Sequence, residues 1–182
     1  MRRLFLLCIG LFVIFNVQAN EVDNLKSSAE KYFAVVKVFD TTAMSNMFHP
    51  DALSEFRRTF DQVFTGGQSE KAKTDILPLF SVTKIEEFDA LSDRMSYQRF
   101  NDFIISMQPQ LLTMMKASSS TIKTVSIVDG IGFVNYTLTM NVKGQSIETD
   151  AVQKFKLDDG TWLALLPASS NASMEGIKAQ YK

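Results

Sequence analysis

Residues 121–167 read TIKTVSIVDGIGFVNYTLTMNVKGQSIETDAVQKFKLDDGTWLALLP and decide the fold class of this chain. They divide into four runs in which apolar and polar residues alternate, which is the period of a half-buried β-strand. Asp129-Gly130 and Asp158-Asp159-Gly160 stand between such runs, and Asp-Gly is a strong hairpin signal. The stretch therefore predicts a four-stranded antiparallel meander, with its first two strands near residues 122–128 and 131–142.

The second run indicates how this sheet is covered. Tyr136, Leu138 and Met140 point to one side, and the residues between them are polar. A sheet with one apolar and one wettable face is typical of antiparallel strands that are covered on a single side.

The preceding residues have helical periodicity. We predict helices over 22–39, after Asp40, and from Pro50 to Phe64, the last ended by Thr65-Gly66-Gly67. Shorter helices are expected over 69–80, interrupted near Pro78, and over 84–91. Ser96 is predicted to cap the next helix, and Pro109 to open the one after it. Helices followed by a meander give an α+β fold with N-terminal helices packed on a four-stranded antiparallel sheet.

The N-terminus has the pattern of a secretory signal peptide. Arg2 and Arg3 precede an apolar run from Leu4 to Phe15, and Val17-Gln18-Ala19 has the small-x-small form of a cleavage site. An uncleaved membrane anchor is the alternative, but the run is shorter than the roughly 20 residues that span a bilayer. We therefore expect cleavage after Ala19 and a location in the periplasm or outside the cell.

Composition excludes several classes of function. Cys8 is the only cysteine, so a chain cleaved after Ala19 has no disulfide, no thiol nucleophile and no cysteine metal site. The formal net charge is −1, and the charges are scattered. Nucleic acid is therefore not an expected partner. We expect no membrane span in the mature chain, since no second long apolar run follows.

We expect three segments. Residues 1–19 are the signal peptide, residues 20–168 are a single domain with a helical insertion at about 66–118, and residues 169–182 are a C-terminal tail. This tail is either a loose extension or a short terminal helix.

Two motifs resemble those of nuclear-transport-factor-2-like proteins. They are MFHPDAL at residues 47–53, after a helix that ends at Phe39-Asp40, and FKLDDGTW at residues 155–162. Residues 80–91 and 96–107 are similar to a bacterial exported subgroup that carries a helical insertion before the sheet. The resemblance implies a cystatin-like cone, in which a curved sheet wraps on helices, often with a cavity at its open end and often with a dimer through the sheet.

The sequence offers few candidates for catalysis. His49 is the only histidine, which excludes a Ser-His dyad and a multi-histidine metal site, and we expect neither a metal nor a cofactor. His49 and Asp150 are the weak catalytic candidates, although a His-Pro-Asp junction is also typical of a helix cap. The candidate ligand-binding residues, if they face the cavity, are Tyr97, Asn135, Tyr136 and Gln153. Polar residues that alternate along a strand also commonly face water.

These observations favour a non-catalytic exported module that binds a small apolar ligand or forms a homodimer through its sheet. The first alternative is a cofactor-independent isomerase or lyase that uses a carboxylate or His49 in the cone cavity. The second is a structural interaction protein that works through its sheet face. Two further observations bear on the cavity. Flexible methionines would suit an apolar pocket, and the candidates are Met44, Met47, Met107, Met114 and Met115. If the helical insertion closes the mouth of the cone, its phenylalanines would fill the cavity; these are Phe80, Phe88 and Phe100.

Overall fold

A computed structural model describes residues 2–142 and 144–182, with side chains described for residues 20–141 and 144–182. The helices are α1 (Arg2–Val38), α2 (Thr41–Met47), α3 (Pro50–Phe64), α4 (Ser69–Ile76), α5 (Ile85–Asp89), α6 (Asp93–Met107), α7 (Pro109–Ala117) and α8 (Ala168–Gln180). A 3₁₀ turn, Leu77–Phe80, follows α4. The strands are β1 (Ser119–Val128), β2 (Ile131–Val142), β3 (Gln145–Asp158) and β4 (Thr161–Ala164). The signal-peptide prediction falls on residues 1–19, whose side chains lie outside this described part.

The four strands form one antiparallel sheet in the order β1-β2-β3-β4. Two of the predicted turns have the backbone that their sequences favour. Asp129 and Gly130 have φ values of 50° and 75°, and Asp159 and Gly160 have 44° and 76°. Positive φ at both central residues matches the twist of the flanking strands and closes a tight hairpin. The predicted α+β class is confirmed, with seven helices before the sheet within the described residues.

One face of the sheet packs on α1. Leu25, Ala29 and Tyr32 form the buried stripe of this helix, and the Tyr32 ring lies 5.8 Å from the ring of Phe155 on β3. We call this side of the sheet the inner face. Because side chains alternate along a strand, the neighbouring residues of β2 and β3 point to the opposite side, the outer face.

The MFHPDAL segment joins the helices to the edge of the sheet. Phe48 forms a parallel bridge with Ala164 of β4, and the His49 backbone N–H donates to the Ala164 carbonyl at 2.9 Å. His49 is also the N-cap of α3, where its Nδ1 accepts from the Asp51 backbone N–H at 3.1 Å. The Lys156 ammonium binds the Asp51 carboxylate from β3. The motif therefore fixes the start of α3 against β4.

The insertion builds an aromatic core of its own with α3. Phe80 lies 4.9 Å from Phe60 and 4.8 Å from Phe88, measured between ring centroids. Phe100 packs on the same cluster, 5.4 Å from Phe56. These rings lie between helices, so Phe80 and Phe88 are not in the space between α1 and the sheet.

The predicted cap of α6 was wrong by one turn. Ser92, not Ser96, is the N-cap, and its Oγ accepts from the Met95 backbone N–H at 3.2 Å. Ser96 lies inside α6 and is buried, where its hydroxyl donates to the Ser92 carbonyl and accepts from Arg57. Its hydroxyl is thus satisfied by one local bond and by one tertiary contact, from Arg57, that the local sequence does not reveal.

The C-terminal segment forms α8, which packs on α3. Met174 and Tyr181 are buried, and the Tyr181 hydroxyl donates to the Asp75 carboxylate at 3.1 Å. Within the part of the chain whose side chains are described, no helix combines the length and the apolar character needed to cross a membrane.

Candidate functional site

A cavity of about 690 Å³ lies between α1 and the inner face of the sheet. Apolar and aromatic side chains form most of its wall. They come from α1, from the end of α7 and from β1 and β2: Tyr32, Phe33, Val36, Met115, Ile122, Tyr136 and Leu138. The cavity exists because α1 covers the sheet only in part. Leu25 and Ala29 of α1 are buried in the core. Phe33 and Val36, farther along the same helix, line the cavity.

Gln153 supplies a buried amide to this cavity. It lies on the inner face of β3 opposite Val134 and is 2% exposed. Its Nε2 donates to the backbone carbonyl of Leu165 at 2.7 Å and to that of Lys154 at 2.9 Å. Both bonds fix the amide in one orientation, because each partner is an acceptor only.

Two tyrosines bring phenol groups to the same space. Tyr32 is 6% exposed, and burial raises the pKa of its phenol far above the usual range. Burial also raises the pKa of Tyr136, whose ring lies 4.5 Å from the ring of Phe33. Both phenols are therefore neutral at physiological pH and act as hydrogen-bonding groups.

Charged residues lie only at the rim among the described lining residues. Lys26, Glu30 and Lys37 project from exposed positions on α1. Ser169, in the first turn of α8, also lines the cavity. The rim thus carries charges of both signs, and hydroxyl residues at positions 118–121 line the cavity beside the apolar side chains.

A second, smaller cavity of about 230 Å³ lies among α3, α6 and α8. Its wall is aromatic and aliphatic, with Phe56, Phe60, Phe100 and Met174 among the lining residues. Tyr97 lines it as well, and burial raises the pKa of the Tyr97 phenol well above its usual range. Ser169 borders both cavities, so the first turn of α8 lies between them.

The structure brings two of the predicted ligand-binding residues together. Tyr136 and Gln153 line the larger cavity, whereas Tyr97 lines the smaller one. Asn135 lies on the outer face, where its Nδ2 donates to the Thr124 hydroxyl at 2.8 Å.

The two catalytic candidates lie outside the larger cavity. Asp150 is exposed on the outer face and accepts a hydrogen bond from the Thr137 hydroxyl. His49 is buried at the start of α3 as its cap. Within the residues whose side chains are described, no group of three histidine, cysteine or acidic residues is arranged to hold a metal ion.

Sequence reasoning did not identify Tyr32 and Phe33 as cavity residues. Both belong to the apolar stripe of α1, and the pattern alone does not distinguish a side chain in the core from one beside a cavity. Met115 belongs to the predicted methionine group and does line the cavity, but the other four members do not. The relevant signal was the position of Met115 at the end of α7, directly before β1.

No protein-family model matches this chain, and no curated protein does. Among solved structures, a variant of a protein named Rd1NTF2_05 is 15% identical over 36% of this chain and 56% of its own, with a TM-score of 0.29. A protein of Jannaschia sp. CCS1 described as a SnoaL-like polyketide cyclase is 19% identical over 43% of this chain and 62% of its own, with a TM-score of 0.27. The matches thus span less than two thirds of either chain, and likenesses this low carry no inference about the site.

The fold is established by this chain's own element order, strand order and register. Helices followed by a four-stranded antiparallel sheet are the architecture that the resemblance to nuclear-transport-factor-2-like proteins implies, and this chain adopts it.

Proposed function

We propose that this chain is an exported, non-catalytic protein that binds a small, mainly apolar molecule between α1 and the inner face of the sheet. The main observation that supports this proposal is the cavity of about 690 Å³, with its apolar and aromatic side chains and its buried amide, Gln153. Sites for small molecules are typically clefts of roughly 300–1,000 Å³ with apolar walls and a few fixed polar groups.

The placement of titratable groups favours binding over catalysis. An isomerase or lyase needs an acid or base within hydrogen-bond reach of its substrate. His49 and Asp150 do not line the cavity, and the carboxylate that does, Glu30, lies exposed at the rim. The two phenols inside hold their protons at neutral pH, as tyrosines ordinarily do, and burial raises the pKa of each further.

The proposal of export rests on the N-terminal pattern. In a chain that begins at Asn20, the first buried side chain of α1 is Leu25. Expression of the full chain in a bacterial host, followed by N-terminal sequencing of the periplasmic product, should give a start at Asn20. A product that retains Arg2 and Arg3 would contradict export by cleavage.

A homodimer through the sheet is a second part of the sequence prediction. Val128 and Val152 are 54% and 47% exposed, and Val152 lies on the outer face beside Asp150 and Lys154. Sedimentation of the purified protein at several concentrations measures this property separately from ligand binding.

Binding can be tested with two variants that place the same side chain on opposite faces of β2. Leu138→Trp fills the cavity, while Thr139→Trp adds a tryptophan on the outer face at the next residue. Native mass spectrometry of the gently purified protein should show a bound small molecule, and the neutral fluorescent probe N-phenyl-1-naphthylamine should bind in competition with it. We expect Leu138→Trp to abolish both signals and Thr139→Trp to retain them. Equal binding by both folded variants would contradict the proposal.

A further inference from the structure

The orientation of Gln153 determines which polar group faces the larger cavity. Its two N–H groups are both used on backbone carbonyls, at 2.7 and 2.9 Å, so the nitrogen end is directed at the chain. An amide with both hydrogens bound has only its carbonyl oxygen, Oε1, left to interact. The exchanged orientation would set Oε1 against two carbonyl oxygens and is excluded on chemical grounds.

Oε1 opens onto the cavity. In the described part of the chain, the side-chain hydrogen bonds of Gln153 are the two that its Nε2 donates, and none reaches Oε1. In the same part of the chain, every side-chain nitrogen or oxygen that is sealed from solvent has a partner. Gln153 lines the cavity while being 2% exposed, so the accessible atom is an acceptor held at the cavity wall.

The surroundings make this acceptor costly to leave unpaired. The wall that Gln153 shares includes the rings of Tyr32 and Tyr136 and the side chain of Leu138, and none of these makes a hydrogen bond to Oε1 in the described structure. A buried acceptor that loses its hydrogen bond to water and gains none from a ligand destabilises the complex. An anionic group would also meet the partial negative charge of Oε1 at this point.

We propose that the cavity selects apolar molecules that carry a neutral N–H or O–H donor, such as a phenol, an alcohol or an amide, with Gln153 Oε1 as the acceptor. This inference rests on the proposed function and specifies its ligand class. The aromatic wall accommodates the apolar body of the ligand, and the fixed amide orients the donor.

The test compares two probes that differ in one hydrogen-bond donor. 2-Naphthol has an O–H group, and 2-methoxynaphthalene keeps the oxygen but has no donor. Calorimetric titration of the full chain should show 2-naphthol binding more tightly by roughly 5- to 100-fold, the range expected from an unpaired buried acceptor. The side-chain amide resonances of Gln153 should shift with 2-naphthol and not with its methyl ether.

Gln153→Met removes the acceptor and keeps the side-chain length, so it should remove the preference for 2-naphthol. Asn135→Leu removes an amide from the outer face of β2 and should leave the preference unchanged. Thermal unfolding shows whether Gln153→Met folds. If this variant does not fold, the inference is tested by the affinities of the unmutated protein for the two probes and by its Gln153 amide resonances. Equal affinities for the two probes, or a preference that survives in folded Gln153→Met, would overturn the inference while leaving a binding cavity in place. Binding of neither probe would overturn both proposals.

Discussion

Leu25 of α1 lies directly over Gly132 of β2. A Cβ atom at position 132 would lie 2.5 Å from Leu25 Cδ2 and 2.8 Å from Cδ1, closer than such atoms approach in folded proteins. Leu25 is fully buried at this contact. The absence of a side chain at Gly132 therefore allows the first helix to pack this closely on the sheet.

Gly132→Ala should destabilise the protein. The added methyl group forces Leu25 or α1 to move, and overpacking of this kind typically costs about 1–3 kcal/mol. Urea unfolding measures the change in the free energy of unfolding. Gly176→Ala is the matched control, because apart from its chain neighbours and the backbone of its own helix no described atom lies within 4 Å of its added Cβ, and alanine favours the helix. An unfolding free energy of Gly132→Ala equal to or above that of the unmutated protein would show that α1 does not pack as described.

Arg57 should be the most sensitive charged residue of the helical half. It is 11% exposed, and its Nη1 donates to the Leu91 carbonyl at 2.8 Å. Its guanidinium carbon lies 3.9 Å from the centroid of the Phe88 ring. Arg57→Met leaves a carbonyl without its donor and removes charge-assisted bonds, a loss of about 2–3 kcal/mol. Arg57→Lys should recover little of this, since an ammonium does not reproduce the planar fork.

Denaturant unfolding of the two single variants Arg57→Met and Arg58→Met, compared with each other, measures the specific contribution of Arg57 to stability. Arg58 is the next residue of α3 and is exposed, so its substitution should change the unfolding free energy by less than about 0.5 kcal/mol. Similar losses in the two variants would indicate that Arg57 contributes no more than an ordinary surface charge.

The sheet was predictable from the sequence because its signals are local. Asp129-Gly130 and Asp159-Gly160 favour one turn geometry, and Tyr136 and Leu138 alternate with polar neighbours, so the hairpins and the covered face both follow. The start of α3 was predictable for the same reason, since Pro50 suits the first helical position. Ser96 shows where this reasoning ends. Its partner Arg57 lies far away in the sequence, and Ser92, four residues earlier, provides the better cap.

The site was predictable only in part. The period of two tells which β2 and β3 residues share a face, and this is how Tyr136 and Gln153 come together. Asn135 precedes Tyr136, so the alternation already assigns it to the wettable face of β2, and only its residue type made it a candidate. Tyr32 joins the site through the packing angle of α1, which depends on the contact between Leu25 and Gly132 rather than on any local motif.

His49 should contribute to stability through its cap. His49→Ala removes the acceptor for the Asp51 backbone N–H and should lower the unfolding free energy by about 1 kcal/mol. His49→Asn restores a capping oxygen and should recover part of that loss. Binding of N-phenyl-1-naphthylamine should be the same for both variants, because His49 does not line the cavity. A loss of binding in His49→Asn at unchanged stability would point instead to a role for the imidazole at the site.

Stability should fall at alkaline pH because the tyrosines hold their protons in the folded state. Burial raises the pKa of Tyr32, Tyr97 and Tyr136 above the ordinary value of 10.0, and burial together with the Asp75 carboxylate raises that of Tyr181. The unfolded chain releases these protons at pH values near 10, whereas the folded chain retains them. Above that pH the unfolded state binds fewer protons, so the free energy of unfolding decreases as pH rises.

Urea unfolding at a series of pH values from 8 upward, with tyrosinate absorbance recorded in parallel, checks this expectation. Tyrosinate should form only as the protein unfolds. Tyr32→Phe should make the free energy of unfolding fall less steeply at alkaline pH, because it removes a buried ionisable hydroxyl. Tyr32→Phe removes only the hydroxyl group, so the ring keeps its packing on Phe155 and the effect of the hydroxyl is measured separately. Four tyrosines that ionise reversibly near pH 10 in the folded protein would contradict the burial of Tyr32 and Tyr97.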